Sequence, residues 1–164
     1  MSKSPTHFDD DGHVHMVDVS EKKVSVRHAV AVGEIVMQEA TARLIRSGDA
    51  SKGDVLGVAR LAAIQATKAT HQLIPLCHAI PIESVTVEFT WLGQESDGEL
   101  HSLKCEVAVR TSAKTGVEME AMTAVSVACL TVYDMVKAVD RGIQIRLVHL
   151  LEKSGGKTGV FRRT

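Results

Sequence analysis

The sequence predicts an α+β fold in which helices pack on one face of a four-stranded antiparallel sheet. Three observations carry that prediction. Four runs, VSVRHAVAVGEIV, IESVTVEFTWL, LHSLKCEVAVRTS and IQIRLVHLLE, alternate aliphatic with polar residues, the period-2 pattern of half-buried strands. The middle two are separated by GQESDGE, whose Gly and Asp residues mark a hairpin. Two helical segments lie between the first and second runs and one long helical segment between the third and fourth. The order β, two helices, β, β, long helix, β is that of the split βαβ, or ferredoxin-like, sandwich.

Taken in order, residues 1–15 are polar and without periodicity, which predicts a mobile tail ahead of a single domain over 16–153. MVDVS and then VSVRHAVAVGEIV read as strand, with Val24, Val26, His28, Val30 and Val32 on one side. Arg27 takes the opposite side, either as an exposed strand cation or as an anion ligand on a rigid element. MQEATARLIRSG is a short amphipathic helix closed by Gly48, and a second helix follows a tight turn, with Asp54 as N-cap and Pro75 as its stop. Lys52 sits in the loop just before that second helix, where free N–H groups and the dipole favour anions. Ala59, Ala62, Ala63 and Ala66 give the helix a smooth face for close packing, and Lys68 lies toward its end near His71. Leu76, Cys77 and His78 fall in the connection to the next strand, and Arg110 falls near the end of the third run.

The stretch from Lys114 to Arg141 is the organising element. Thr115 followed by Glu118 is a capping-box signature, and no Gly or Pro follows Gly116 until Gly142. Apolar residues occupy more than one face, as expected of a helix covered on several sides. Asp134, Lys137 and Arg141 follow i, i+3, i+7 spacing and share a face near its end. The last strand alternates Ile143, Ile145, Leu147 and His149 before a Gly/Lys/Arg-rich second tail over 154–164.

Composition excludes several functions. A net charge of -1 with pI near 6.7 leaves no cation excess to attract nucleic acid or a membrane surface. Five aromatic residues cannot build the stacking platform of a single-strand RNA binder. No segment approaches the ~20 apolar residues of a membrane span and no signal peptide opens the chain, so a cytoplasmic location is expected. Cys77, Cys105 and Cys129 form no C-x-x-C pair, so a zinc or iron–sulfur site is not expected and the odd count fits a reducing compartment. His13 and His15 have no third ligand at matching spacing and are assigned to the tail rather than to a metal. Gly155-Gly156-Lys157-Thr158 invites a phosphate-loop reading that fails, because Leu151 stands where the motif needs its first Gly and no helix follows.

Two readings of the charged residues on the long helix compete. In one, Glu118 caps its start, Lys137 and Arg141 complement its C-terminal dipole, and Asp134 pairs with Lys137. In the other, an apolar wall lowers the pKa of Lys137 and Asp134 holds its ammonium for acid/base work.

Four blocks, HMVDVSEK (15–22), KGDVLGVARLAAIQATKATHQLIPLCH (52–78), KTGVEMEAMTAVSVACLTVYDMVKAVDR (114–141) and LLEKSGGKTG (150–159), resemble the MoaC family of cyclic pyranopterin monophosphate synthases in molybdenum-cofactor biosynthesis. The resemblance covers nearly the whole chain outside the hairpin. It implies a lyase that rearranges 3′,8-cyclo-7,8-dihydroguanosine 5′-triphosphate into cyclic pyranopterin monophosphate with release of pyrophosphate. It also implies a hexamer built as a trimer of dimers with active sites shared between subunits. By position it makes Asp134, Lys137 and Lys52 catalytic and places Leu76, Cys77, His78, Met119, Glu120, Glu118, Arg27, Arg110 and Lys68 against the substrate. Two departures stand out: Ala79 where Pro is common, and Ala69 where Arg is common, which removes a cation beside Lys68. No cofactor is required by the sequence, and whether Mg²⁺ accompanies the triphosphate stays open. The rival from another class is a non-catalytic oligomeric module that binds a phosphorylated pterin or nucleotide, since one fold hosts many functions.

Overall fold

The computed structural model describes residues 7–8, 11–94, 100–157 and 159–164. Its elements are β1 (Ser25–Gln38), α1 (Glu39–Ser47), α2 (Val55–Leu73), β2 (Ser84–Gln94), β3 (Leu100–Ala113), α3 (Glu118–Val136), β4 (Gln144–Ser154) and β5 (Phe161–Arg162). All neighbouring strands pair antiparallel in the order β2-β3-β1-β4-β5. The sheet is therefore the predicted ferredoxin-like one with a fifth strand added from the segment expected as a C-terminal tail. That strand is two residues long, pairing Phe161 with Lys153 and Arg162 with Glu152, and the Arg162 Nε to Glu152 Oε2 ion pair at 3.0 Å accompanies it.

Alternation sets the layers. On β3, Leu103, Cys105, Val107, Val109 and Thr111 are fully buried while Arg110 and Ser112 between and beside them are exposed. Onto the buried face α3 lays Ala121, Ala124, Val125, Ala128, Cys129 and Val132, the i, i+3, i+4 stripe of a core helix. Gly33 on β1 permits the approach, because a Cβ there would lie 2.5 Å from Val125 Cγ1 and 3.0 Å from Cys129 Sγ. On β4 the expected simple alternation is broken by a bulge. Val32 pairs with His149 and Glu34 with Arg146, so Leu147 and Val148 together oppose Gly33. Leu147 takes φ 55° and turns to solvent while Val148 faces inward.

Four further expectations change. MVDVS is not strand; β1 begins at Ser25. Thr115 does not cap α3, whose N-cap is Val117 with no side-chain bond. Glu118 instead folds back over Gly116, where an added Cβ would lie 1.9 Å from its Oε2. The helix ends at Val136 with Lys137 as C-cap, so Arg141 lies beyond it and off the Asp134 face. Finally, α3 is by length and composition apolar enough to cross a membrane, contrary to the reading that no segment is, but half of that stretch is buried inside the fold.

Candidate active site

Asp134 and Lys137 come one turn apart at the C-terminal end of α3, and Lys52 reaches the same carboxylate from 82 residues earlier. Gly48, left-handed at φ 78°, ends α1, and Gly53 closes a turn on Ala50. Asp54 then caps α2 by accepting from Gly57 N at 2.9 Å, as predicted. These turns aim Lys52 Nζ at the Asp134 carbonyl (2.7 Å) and Oδ2 (3.0 Å), while Lys137 Nζ lies 2.7 Å from Oδ1. The Lys137 and Lys52 hydrogen bonds hold the Asp134 carboxyl below the usual range. The same contact pushes the Lys137 ammonium up, against the expected lowering. The reason is exposure: the two lysines are 44 and 51% exposed and Asp134 56%, so within one chain no apolar wall opposes the charge. A carboxylate between two ammonium groups presents protons to solvent, which suits a proton donor or an anion clamp.

At the other end of α3 lies a cavity of about 420 Å³. Leu76, Cys77 and His78, delivered by the turn after α2, line it together with Glu118, Met119 and Glu120 from the first turn of α3. Six of the nine residues that the resemblance placed against the substrate meet in this one place. Glu120 is only 3% exposed, and burial, followed by the charge of Glu118, pushes its carboxyl up. Burial and Glu120 together push the Cys77 thiol up, so it is a protonated thiol rather than an activated nucleophile. His78 Nε2 is 3.0 Å from the Val17 carbonyl, which can only accept, so that nitrogen carries the hydrogen. Val17 and Val19, in the segment expected as strand, close one wall.

A second cavity of about 730 Å³ adjoins the first and shares Lys22, Thr115, Gly116 and Glu118 with it. Its lining carries Lys22, Lys23, Arg27, Lys114, Lys153 and Lys157 against only two carboxylates, Glu21 and Glu118. Arg27 donates through Nε to the Ala113 carbonyl (3.2 Å) and through Nη2 to that of Lys114 (3.1 Å), fastening the loop that leads to Glu118. Gly155 and Gly156, at φ 97° and 74°, pass directly over it, where added Cβ atoms would strike the Val26 carbonyl and Arg27 Nη1. The glycines that failed as a phosphate loop are thus required by close backbone approach.

Sequence reasoning missed Lys22, Lys23, Lys114, Lys153 and Lys157. Only their charge was visible, scattered over four segments, and the near-neutral total concealed their convergence. Conversely, Lys68 is exposed on α2, Arg110 is exposed on the outer sheet face, and neither lines either of these two cavities. Among the described residues no three His, Cys, Asp or Glu side chains gather with metal-holding geometry, His13 and His15 included.

The model of the MoaC family matches residues 16–156. Curated relatives named cyclic pyranopterin monophosphate synthase match almost end to end. The protein of Rhodopirellula baltica is 55% identical over 162 residues, covering 96% of this chain and 93% of the relative. That of Methylobacterium sp. (strain 4-46) is 57% identical over 158 residues, with 96% of each chain covered. That of Cereibacter sphaeroides (strain KD131) is 56% identical over 156 residues, with 95% of each covered.

Proposed function

The chain belongs to the MoaC family, and from that premise we propose that it is a cyclic pyranopterin monophosphate synthase. It converts 3′,8-cyclo-7,8-dihydroguanosine 5′-triphosphate to cyclic pyranopterin monophosphate and pyrophosphate. The observation that carries this reading is the adjacency of the two cavities: the buried Glu120 and half-buried Glu118 carboxyls in one, six cations in the next, with Lys22 and Glu118 shared. A triphosphate needs converging Lys and Arg donors, and its guanine-derived ring needs acceptors for adjacent N–H groups. The cation-lined cavity suits the first and Glu118 with Glu120 the second, while Leu76 and Met119 supply the apolar wall. Arg27 spends two of its five N–H donors on backbone carbonyls and keeps three for phosphate.

Ring opening and reclosure require repeated proton transfers. Lys137, which Asp134 keeps protonated, acts first as an acid; Lys52 is the second proton carrier, and Asp134 orients both. Lys137 and Glu120 are seventeen positions apart along α3 and its cap, or ~25 Å at ~1.5 Å per residue. One small substrate cannot touch both within a chain. The reading therefore includes a homo-oligomer, a hexamer arranged as a trimer of dimers, in which one chain's Lys52, Asp134 and Lys137 face another's cavities. Lys68 and Arg110 join the phosphate site through that assembly. The enzyme works in the cytoplasm without nucleic acid or membrane partners, and Mg²⁺ enters only as a companion of the triphosphate.

The test is incubation with the cyclised dihydro-GTP, following pyrophosphate and pterin together, with and without EDTA. Stoichiometric release of both is expected in either condition. Saturable binding with neither product formed would replace the enzyme with the non-catalytic binding module.

A further inference from the structure

Asp140 is 4% exposed, one of two buried carboxyl side chains among the described residues, and it belongs to neither cavity. Its Oδ2 accepts from Gln38 N at 3.1 Å and Thr41 Oγ1 at 3.0 Å, and its Oδ1 accepts from Gly142 N at 2.9 Å. Gln38 is the N-cap of α1 and offers no side-chain cap of its own, so a residue about a hundred positions away supplies the cap. A carboxylate there also meets the positive end of the helix dipole.

The anchored segments are the ones that deliver the two lysines. Upstream of Asp140, its own N–H donates to Val136 O at 3.1 Å and that of Lys137 to Tyr133 O at 2.8 Å, so the turn bearing Lys137 is held between α3 and the Asp140 carboxylate. On the other side, α1 buries only Thr41, Ala42 and Ile45. Its nine residues form a rod ~14 Å long. The far end leads through Gly48 to Lys52. Gln38 also terminates β1, paired with Leu100, so the anchor point is the sheet itself.

We infer that Asp140 is a positioning residue, the buried tie that sets Lys137 and Lys52 at their distances from Asp134 by fixing the exit of α3 to the start of α1. This rests on the proton-transfer roles proposed above. Its chemistry is specific to a carboxylate. Three N–H or O–H donors converge on two acceptor oxygens, and an Asn in the same place turns an NH₂ toward at least one of those donors. A displacement of about 1 Å at a reacting group can cost on the order of a hundredfold in rate, so a small shift of the tie is felt at the lysines.

The test compares Asp140→Asn and Thr41→Val with Val87→Ala, a core truncation on β2 outside both cavities, all as assembled enzymes. Asp140→Asn should lower kcat by about tenfold or more with KM within about twofold, because the substrate-holding carboxyls and cations sit elsewhere. Thr41→Val, which deletes one donor to the same oxygen, should show a smaller fall of the same kind. Val87→Ala, at a comparable loss of melting temperature, should keep its kcat. Equal losses of kcat in Val87→Ala and Asp140→Asn, or a raised KM at unchanged kcat, overturn the inference by reducing Asp140 to a structural residue. If Asp140→Asn does not fold, Thr41→Val decides, and an unchanged kcat there overturns it. Lys137→Ala separates the two claims. An active Lys137→Ala enzyme sinks the proton-transfer reading and the Asp140 role with it. A dead one beside an Asp140→Asn enzyme of normal kcat sinks the Asp140 inference alone.

Discussion

Co-expression of Glu120→Ala chains with Lys137→Ala chains should regenerate activity that neither variant has alone. Glu120 lies in the first turn of α3 and Lys137 is its C-cap. The helix between them is continuous, and the seventeen intervening steps place them ~25 Å apart along its axis. If both serve one substrate, each pocket takes Glu120 from one subunit and Lys137 from its neighbour, and a two-fold contact makes the exchange reciprocal. In a mixed dimer one pocket then keeps both residues and the other lacks both. Random pairing at equal expression makes about half the dimers mixed, so roughly a quarter of all pockets are complete and turnover recovers to roughly a quarter of wild type. The assay is pyrophosphate release by oligomers carrying two different affinity tags, purified through both, with each single-variant oligomer as control; this selection raises the recovery above the random value. Neither substitution should prevent assembly of the chain, since Lys137 is half exposed and Glu120 is a desolvated carboxyl whose burial opposes its charge. A doubly tagged oligomer as inactive as its controls would show that the two residues do not share a pocket across subunits.

Lys137→Ala and Lys52→Ala should each lower turnover by about a hundredfold or more while leaving assembly and melting behaviour nearly intact, as expected for half-exposed proton carriers; near-normal turnover in either removes that lysine from the mechanism. Gly33→Ala should cost about 1–3 kcal/mol in denaturant unfolding, because its Cβ would lie 2.5 Å from Val125 Cγ1. Adding Val125→Ala should recover part of that loss, and two simply additive costs would contradict the steric reading. Glu120→Gln should change the pH dependence of melting. A carboxyl whose folded pKa is raised stabilises the fold fully below its unfolded value, near 4.5, and loses that contribution as pH rises through the folded value. Wild type should therefore lose stability relative to Glu120→Gln across that window, and parallel melting curves would rule out the desolvation of Glu120.

Much of the architecture is written locally. The alternation of Leu103, Cys105, Val107 and Val109, the Asp54 cap, the left-handed Gly48 and the apolar stripe of α3 each depend on a few neighbouring residues, and the element order follows from them. The i, i+3 spacing likewise put Asp134 and Lys137 together before any tertiary contact was known. The failures mark where a distant partner overrides a local signal. Thr115 and Glu118 have capping-box spacing, but Arg27 holds the Ala113 and Lys114 carbonyls and the helix starts later. The bulge at Leu147 answers Gly33 on another strand, and Glu152 recruits Arg162 to extend the sheet. Cations from Lys22 to Lys157 become one wall only when β1, the α3 entrance and the β4 end are brought side by side. The sign of the Lys137 shift was likewise undecidable from spacing, because a buried lysine loses its proton more easily and a paired, exposed one holds it. Sequence determines which faces are apolar and which residue types are present; the long-range topology decides which charges meet and how much water surrounds them, and that sets the chemistry.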